Sequence, residues 1–391
     1  MYSYCIKDKT HSFQLPSICL QFAPNDIILN PIELEKITIA KNQIDSYRHN
    51  KQWERAKKIT NPYELVYIND KNTTHKSVAN IEPISRSFFK LYEIICTFKP
   101  DIIQEPRFNI IPAENPYLAI RTLHLCESPG GFIAAIRYLR NSNPNDELYA
   151  MSIRPTNKNV PSWHKSRNFL TNNPQVKILY GKDDTGDIYI PDNIMQLSID
   201  LGANYSCELI TADGGFDFSV EFNNQEPNMA KLIFCQILAA LINQKEGGTL
   251  VLKIFDLNCL ITYNLIYILQ CYYGNIHIYK PCISRIANSE KYLVCTEYTP
   301  IPYLEWCNLM SVLYSWKHEN TITGIFAENT TASEYIKKIN TAIIADQIKY
   351  INRTIKIIQN PPSREWLAAN RKDQIATAVD WCRKYKIPTS L

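Results

Sequence analysis

Residues 123–132 read Leu123-His124-Leu125-Cys126-Glu127-Ser128-Pro129-Gly130-Gly131-Phe132. A short apolar strand runs into Pro-Gly-Gly, and a helix-prone run over 132–140 follows at once. In a strand, a tight turn and a helix start, glycine lets a ligand approach the backbone, and the first helical turn offers free N–H groups. Alone this implies only a nucleotide-like cofactor. The flanking segments narrow the chemistry.

Downstream the chain alternates strand and helix. Strands are predicted at 122–126, 148–152, 176–180, 209–213, 249–255, 276–279 and 292–297, with helices over 132–140, 227–244 and 257–272. Such β/α alternation implies a mostly parallel sheet covered on both faces. The last two strands are too close together for a crossover helix, so they should pair antiparallel. Upstream, 31–58 reads as one basic helix carrying Lys36, Lys41, Arg48, His49, Lys51, Arg55, Lys57 and Lys58, stopped by Asn61-Pro62-Tyr63. A polar loop at 69–76 and a helix over 85–98 follow. After about residue 300 strand signals stop. Ile336, Ile339, Ile343, Ile344, Ile348, Ile351, Ile355 and Ile358 fall at helical spacing, as a packing face would. Pro361-Pro362 ends that helix, and Ser363 can cap another. The expected organisation is an N-terminal extension with a basic helix (1–75), an α/β domain (76–300) and a helical appendage (301–391).

The chain has 391 residues, 45% hydrophobic and 20% charged, which is ample for a core. A net charge of +4 permits a nucleic-acid partner without arguing for one. Twelve cysteines are dispersed with no C-x-x-C pair, which argues against a zinc site or disulfide framework and for a reducing compartment. The N-terminus lacks an apolar signal core, and the most apolar helical run, 232–242, is too short to span a bilayer, so no membrane association is expected.

Four segments carry residues suited to chemistry. Lys90 lies on a helix in Ser85-Arg86-Ser87-Phe88-Phe89-Lys90-Leu91, and Asp213 ends a strand in Thr211-Ala212-Asp213-Gly214-Gly215. Lys253 sits within the apolar strand Val251-Leu252-Lys253-Ile254-Phe255, and Glu290 just precedes the last strand. A lysine in a buried strand is costly unless paired. Lys253 is therefore either a strand-end lysine snorkelling into a surface ion pair or a general base whose ammonium form burial disfavours. Singly, the other three are weak signals.

Taken together, these segments resemble the FtsJ-like (RrmJ-type) family of S-adenosylmethionine-dependent RNA ribose 2′-O-methyltransferases, over roughly residues 80–298. Ser-Arg-Ser-Phe-Phe-Lys90-Leu-Tyr-Glu-Ile is similar to the family's S-R-x-x-x-K-L-x-E-I helix. Ala-Asp213-Gly-Gly, Leu-Lys253-Ile-Phe and Ser-Arg-Ile-Ala-Asn-Ser-Glu290-Lys-Tyr-Leu-Val match its remaining motifs. Cys126-Glu127-Ser128-Pro129-Gly130-Gly131-Phe132, Ala212-Asp213-Gly214-Gly215-Phe216 and Lys280-Pro281 through Glu290 look like the mRNA cap-specific branch, which large DNA viruses also encode in compact form.

The resemblance implies a Rossmann-like class I methyltransferase sheet, mostly parallel with an antiparallel final strand, plus helical N- and C-terminal appendages. It implies S-adenosylmethionine as cofactor, held by Cys126 to Phe132 and Asp213, and capped mRNA as partner, with other capping or transcription proteins as candidate associates. It gives Lys253 as general base, with Lys90, Asp213 and Glu290 completing a catalytic tetrad. Arg86, Lys280 and Arg285 flank the tetrad as phosphate binders, and Trp53 with its basic helix is a candidate for cap stacking. No metal is implied. One departure stands out: the second strand ends Met151-Ser152-Ile153-Arg154 without the usual ribose-binding carboxylate, so Asp183 and Asp184 become candidates for the adenine or ribose side. Ribosomal or transfer RNA ribose methylation, and a non-catalytic RNA-binding scaffold, are the competing functions. A cytoplasmic location is expected, with the virion as an alternative for a viral protein and the nucleus left open.

Overall fold

The computed structural model describes residues 2–390 apart from 24–25, 49–50, 69–75, 105–117, 157–159, 161, 203, 217–223, 317–321 and 328–332. Its strands are β1 (Tyr2–Lys7), β2 (Gln21–Phe22), β3 (Arg121–Leu125), β4 (Glu147–Met151), β5 (Val176–Leu179), β6 (Cys207–Ala212), β7 (Gln244–Ile254), β8 (Tyr273–Lys280), β9 (Lys291–Tyr298) and β10 (Ile322–Gly324). Its α-helices are α1 (Pro31–Asp45), α2 (Gln52–Thr60), α3 (Ser87–Phe98), α4 (Gly131–Leu139), α5 (Arg167–Asn172), α6 (Pro191–Asp200), α7 (Gln225–Asn243), α8 (Leu260–Tyr272), α9 (Tyr303–Ser315), α10 (Glu334–Gln359) and α11 (Arg364–Lys384).

Eight strands form one sheet in the order β1-β8-β9-β7-β6-β3-β4-β5. The pairs joining β3, β4, β5, β6 and β7 are parallel, while β9 runs antiparallel between β7 and β8. This is the expected mixed α/β sheet. Strand order reverses between β3 and β6, where Leu125 pairs with Ala212. Open α/β sheets bind ligands at the carboxyl ends of the strands flanking such a reversal. Cys126 and Asp213, the next residues, therefore share one crevice.

Apolar residues cover both faces. Helices α7, α8 and α9 pack one face, with Phe234, Leu238, Leu269 and Leu309 all essentially inaccessible. Helices α3, α4 and α11 pack the other, through Phe89, Ile133 and Trp381. A third cluster joins α1, α2 and α10 through Ile37, Trp53, Ile344 and Ile351. The isoleucine row of α10 is split between two of these clusters: Ile336, Ile339 and Ile343 join the first, and Ile344, Ile351 and Ile355 the third. Each such burial stabilises by about 1.5–3 kcal/mol relative to exposure.

Helix α11 docks on α3 through Glu93, which is completely buried. The Trp381 indole donates to Glu93 Oε2 at 2.8 Å, while Oε1 accepts from the Tyr279 hydroxyl at 2.7 Å and the Cys282 amide at 2.8 Å. Burial raises the Glu93 pKa above the usual carboxylate range.

Three expectations need correction. The basic stretch 31–58 is two helices, because Lys51 adopts a left-handed φ of 56° that a continuous helix cannot contain. Strand structure persists after residue 300, since β10 pairs antiparallel with β2. The N-terminal residues, for which no strand was predicted, form edge strand β1 against β8. The polar loop placed at 69–76 falls almost wholly outside the described residues. No helix among the described residues is long and apolar enough to cross a membrane.

Candidate active site

The turn after β3 is built from both sides. Cys126 and Gly130 have positive φ values of 57° and 100°, and Gly130 is the N-cap of α4. The Glu127 carboxylate points into the protein: Oε1 accepts from the Ile133 amide at 2.8 Å, and Oε2 lies 3.0 Å from His124 Nδ1. His124 is itself tied to the Thr211 and Thr122 hydroxyls at 2.7 and 2.9 Å. Burial raises the Glu127 pKa against the opposing pull of His124. Glu127 thus fastens the strand-helix junction from beneath. From above, Ser152 Oγ accepts from the amides of Glu127 and Ser128 at 2.9 and 3.0 Å.

Gly131 is tight for a reason the sequence did not show. A Cβ there would lie 2.0 Å from Ser87 Oγ and 2.3 Å from Ser85 Oγ. The close approach is to the start of α3, so this glycine presses the turn against the helix that carries Lys90. Phe132 is completely buried beneath. Ser128 and Pro129 remain half-buried at the lip of the crevice.

Lys90, Asp213, Lys253 and Glu290, scattered over 200 residues, converge. The Lys90 ammonium lies 2.7 and 2.8 Å from the two Glu290 carboxylate oxygens. Lys253 Nζ donates to the Asp213 carbonyl at 2.7 Å and lies 3.2 Å from Asp213 Oδ1. Tyr292, Lys253's register partner on β9, donates its hydroxyl to the same Oδ1 at 3.1 Å. Ser284 Oγ donates to Glu290 Oε1 at 3.0 Å. Burial alone would raise the Glu290 carboxyl, but Lys90, then Lys253 and Lys280, outweigh it and hold it at about 2.

That depression sets a pH dependence. A carboxylate whose folded pKa lies below its ordinary 4.5 contributes stability above 4.5 and loses it as pH falls toward 2. Glu290→Gln should flatten this acid limb in melting curves recorded across that window, while the wild-type curve keeps it.

Of the three cations expected to bind phosphate, one is internal and two share a carboxylate. Lys280 is only 2% exposed and donates to the Asn288 and Glu290 carbonyls at 2.7 and 2.6 Å. Burial lowers its pKa to about 7. Its geometry makes it an internal brace for the loop before β9, a correction to its placement at the RNA surface. Arg86 and Arg285 converge on Glu64: Arg285 is bidentate at 2.7 and 3.0 Å, and Arg86 Nη1 sits at 3.0 Å. Burial would raise Glu64, yet Arg285 and Arg86 keep its pKa below the usual carboxylate range. Thr60-Asn61-Pro62-Tyr63-Glu64 resembles a segment of the cap-specific branch, but sequence reading gave Glu64 no role, because an Arg-Glu-Arg triad spanning 221 residues leaves no local signal.

Asp183 Oδ1 is taken up by Thr185 and by Asn193 Nδ2 at 2.9 Å. Asp184 pairs with Arg154 at 2.6 Å, and that guanidinium stacks 3.5 Å over the Tyr180 ring. Both aspartates are exposed at the crevice edge. A third carboxylate of this loop, Asp187, acts on the turn through its charge: burial first and then the Asp187 charge push the Cys126 thiol up to about 11. Gly186-Asp187-Ile188 was visible in the sequence, but nothing there ranked Asp187 above its neighbours.

Lys253 and Glu290 open onto a cavity of about 340 Å³. Gly215 and Phe216 line its near side, and Trp53, Glu54 and Lys57 of α2 its far side. A Cβ at Gly215 would lie 3.0 Å from Lys253 Nζ, so the glycine leaves room for that head group. Trp53 itself is 5% exposed and packs mainly into the α1–α2–α10 cluster. Gln347 of α10 donates to the Ala287 carbonyl at 3.1 Å, tying the C-terminal helices to the loop that carries Glu290.

Two Lys–carboxylate pairs thus lie beside the strand-reversal crevice, each with one member, Lys253 or Glu290, facing one cavity. Residues 83–298 match the family described as FtsJ-like methyltransferase, and the chain belongs to that family. Members use S-adenosylmethionine as methyl donor. A mouse protein named cap-specific mRNA (nucleoside-2′-O-)-methyltransferase 2 is 33% identical over 232 residues, covering 57% of this chain and 28% of that protein. The Leishmania braziliensis cap-specific mRNA (nucleoside-2′-O-)-methyltransferase 1 is 33% identical over 192 residues, 49% of this chain and 47% of that protein. A protein of African swine fever virus named as a probable methyltransferase is 27% identical over 293 residues, 71% of this chain and 62% of its own length. The match thus spans less than two thirds of each of these relatives.

Proposed function

We propose that this protein methylates the ribose 2′-hydroxyl of a cap-proximal nucleotide in mRNA, with S-adenosylmethionine as donor. The observation that carries the proposal is the pair of charged contacts, Lys253–Asp213 and Lys90–Glu290, assembled beside the strand reversal, with Lys253 and Glu290 opening on one cavity. The names of the relatives support the capped substrate.

The donor set suits the cofactor. Residues 126–131 present a helix start and two positive-φ positions, and Asp187 and Asp213 supply carboxylates near the turn. Bound there, S-adenosylmethionine supplies an already activated sulfonium methyl. The protein's task is then alignment and removal of one proton. Lys253, held by the Asp213 carbonyl and carboxylate, first gives its own ammonium proton to solvent, and the neutral amine then accepts the 2′-hydroxyl proton as that oxygen takes the methyl group. Glu290 fixes Lys90 beside it, and Tyr292 keeps Asp213 in place. Asp213 also helps orient the methyl group, since it follows β6 at the mouth of the crevice. Where the RNA enters, the Arg86–Glu64–Arg285 triad retains a net positive charge that attracts phosphate.

The test is transfer of labelled methyl to one RNA prepared with and without a cap, followed by nuclease mapping of the modified ribose. Labelling of the capped RNA at a cap-proximal 2′-oxygen is the expected result. Equal labelling of uncapped structured RNA would move the substrate to ribosomal or transfer RNA. RNA binding with no transfer would sink the catalytic assignment.

A further inference from the structure

The residues after the family match are unusually basic. Between Glu334 and Lys386 the chain carries eleven lysines and arginines against five acidic residues, more net positive charge than the whole protein has. One of these cations, Arg371, faces a second cavity of about 700 Å³, a size within the roughly 300–1,000 Å³ typical of ligand sites.

Two helices outside the matched segment build its walls. The end of α2 contributes Lys58 and Ile59, and α11 contributes Leu367 and Arg371. Arg86 and Arg285 line it from the family domain, and Glu64, already bound to both, is its acidic group. Leu65, Tyr67 and Ile68 add apolar surface. The walls are tied together: Gln374 Nε2 donates to the carbonyls of Lys58 and Asn61 at 2.9 and 2.7 Å, and Asn370 Nδ2 to that of Ile59 at 3.1 Å. Arg371 has neither an ion pair nor a hydrogen bond among the described residues.

This cavity and the tetrad cavity share two partitions. Helix α2 presents Trp53, Glu54 and Lys57 to the tetrad cavity and Lys58 and Ile59 to the second. One loop presents Ala287 to Glu290 to the first and Arg285 to the second. Cations interleaved with apolar and aromatic surface suit a nucleotide chain, whose phosphates need charge and whose bases need a nonpolar face. An acidic peptide would satisfy only the first of these.

We propose that the second cavity holds the acceptor RNA strand beyond the reacting nucleotide, with phosphates on Arg371 and Lys58 and a base against Leu65, Tyr67 and Leu367. The C-terminal helices then act as an RNA clamp added to the family domain. This inference rests on the RNA methyltransferase reading above.

The experiment measures binding of fluorescent capped single-stranded RNAs of increasing length by anisotropy across a salt series, and KM for methyl transfer to the same RNAs. Wild type is compared with Arg371→Ala and with Lys372→Ala, an exposed neighbour outside the cavity lining. The expected result is that affinity rises with RNA length in wild type and in Lys372→Ala. Arg371→Ala should lose several-fold of that gain, with its slope of log affinity against log salt smaller by about 1. KM for a cap dinucleotide should be unchanged. Equal affinity and salt slope in wild type and Arg371→Ala would overturn the proposal, as would the absence of any length dependence in wild type. Because anisotropy needs no turnover, a protein that binds RNA through Arg371 yet transfers no methyl would refute the catalytic reading alone.

Discussion

Lys253→Ala is expected to lower the rate of methyl transfer by about 10²–10⁴-fold while leaving S-adenosylmethionine affinity unchanged, the range set by loss of a positioned general base. The lysine is held at one spot: Nζ lies 2.7 Å from the Asp213 carbonyl and 3.2 Å from its carboxylate, with the side chain 12% exposed. No other lysine takes its place, because Lys90 is engaged by both Glu290 oxygens at 2.7 and 2.8 Å. Lys253→Arg should not rescue the rate. A guanidinium stays protonated and cannot accept the proton. Single-turnover transfer rates and calorimetric cofactor binding check this. Activity in Lys253→Ala within tenfold of wild type would exclude Lys253 as the base.

The largest stability effect is expected at Asp256, two residues past the end of β7. Its carboxylate is buried, lies 2.7 Å from Lys41 Nζ of α1, and accepts from Ser289 Oγ at 3.2 Å. Burial opposes its ionisation, but Lys41 and Lys291 keep its pKa below the usual range. Lys291 is in turn lowered by burial to about 8, with Asp256 opposing the shift. Asp256→Ala leaves two buried ammonium groups without that carboxylate, and removing one partner from a buried ion pair costs about 3–5 kcal/mol. Urea unfolding followed by fluorescence should show the corresponding drop in midpoint. Adding Lys41→Met should recover part of it, since the two residues are in contact and their effects are not additive. A loss no larger than that of an ordinary surface substitution would show that the cluster relaxes or admits water.

The α/β alternation and the tetrad were legible because both are written locally. Each tetrad member sits in a short motif at the end of a strand or on a strongly patterned helix, and the sheet then brings those ends together at Leu125–Ala212. Lys253 shows where local reading stops. The sequence offered a strand-end ion pair or a general base, and the structure provides the ion pair while leaving the head group at a cavity. Lys280 and Glu64 show the same limit more sharply. Nothing in Lys280-Pro281 tells whether that lysine turns inward to brace Asn288 and Glu290. Nothing near Glu64 announces two arginines arriving from 22 and 221 residues away. The left-handed conformation of Lys51 was likewise invisible, because the hydrophobic periodicity on both sides of it is helical.

β1 lies at the border of the eight-stranded sheet, where unpaired backbone groups would otherwise recruit a strand from another molecule. Its register against β8 slips between Cys5 and Lys7, and Lys7 is turned inward, its ammonium donating to the Gln270 carbonyl. An irregular border with an inward-pointing charge is a poor template for intermolecular pairing. Strand β1 thus gives this side of the sheet a built-in stop against strand-by-strand polymerisation.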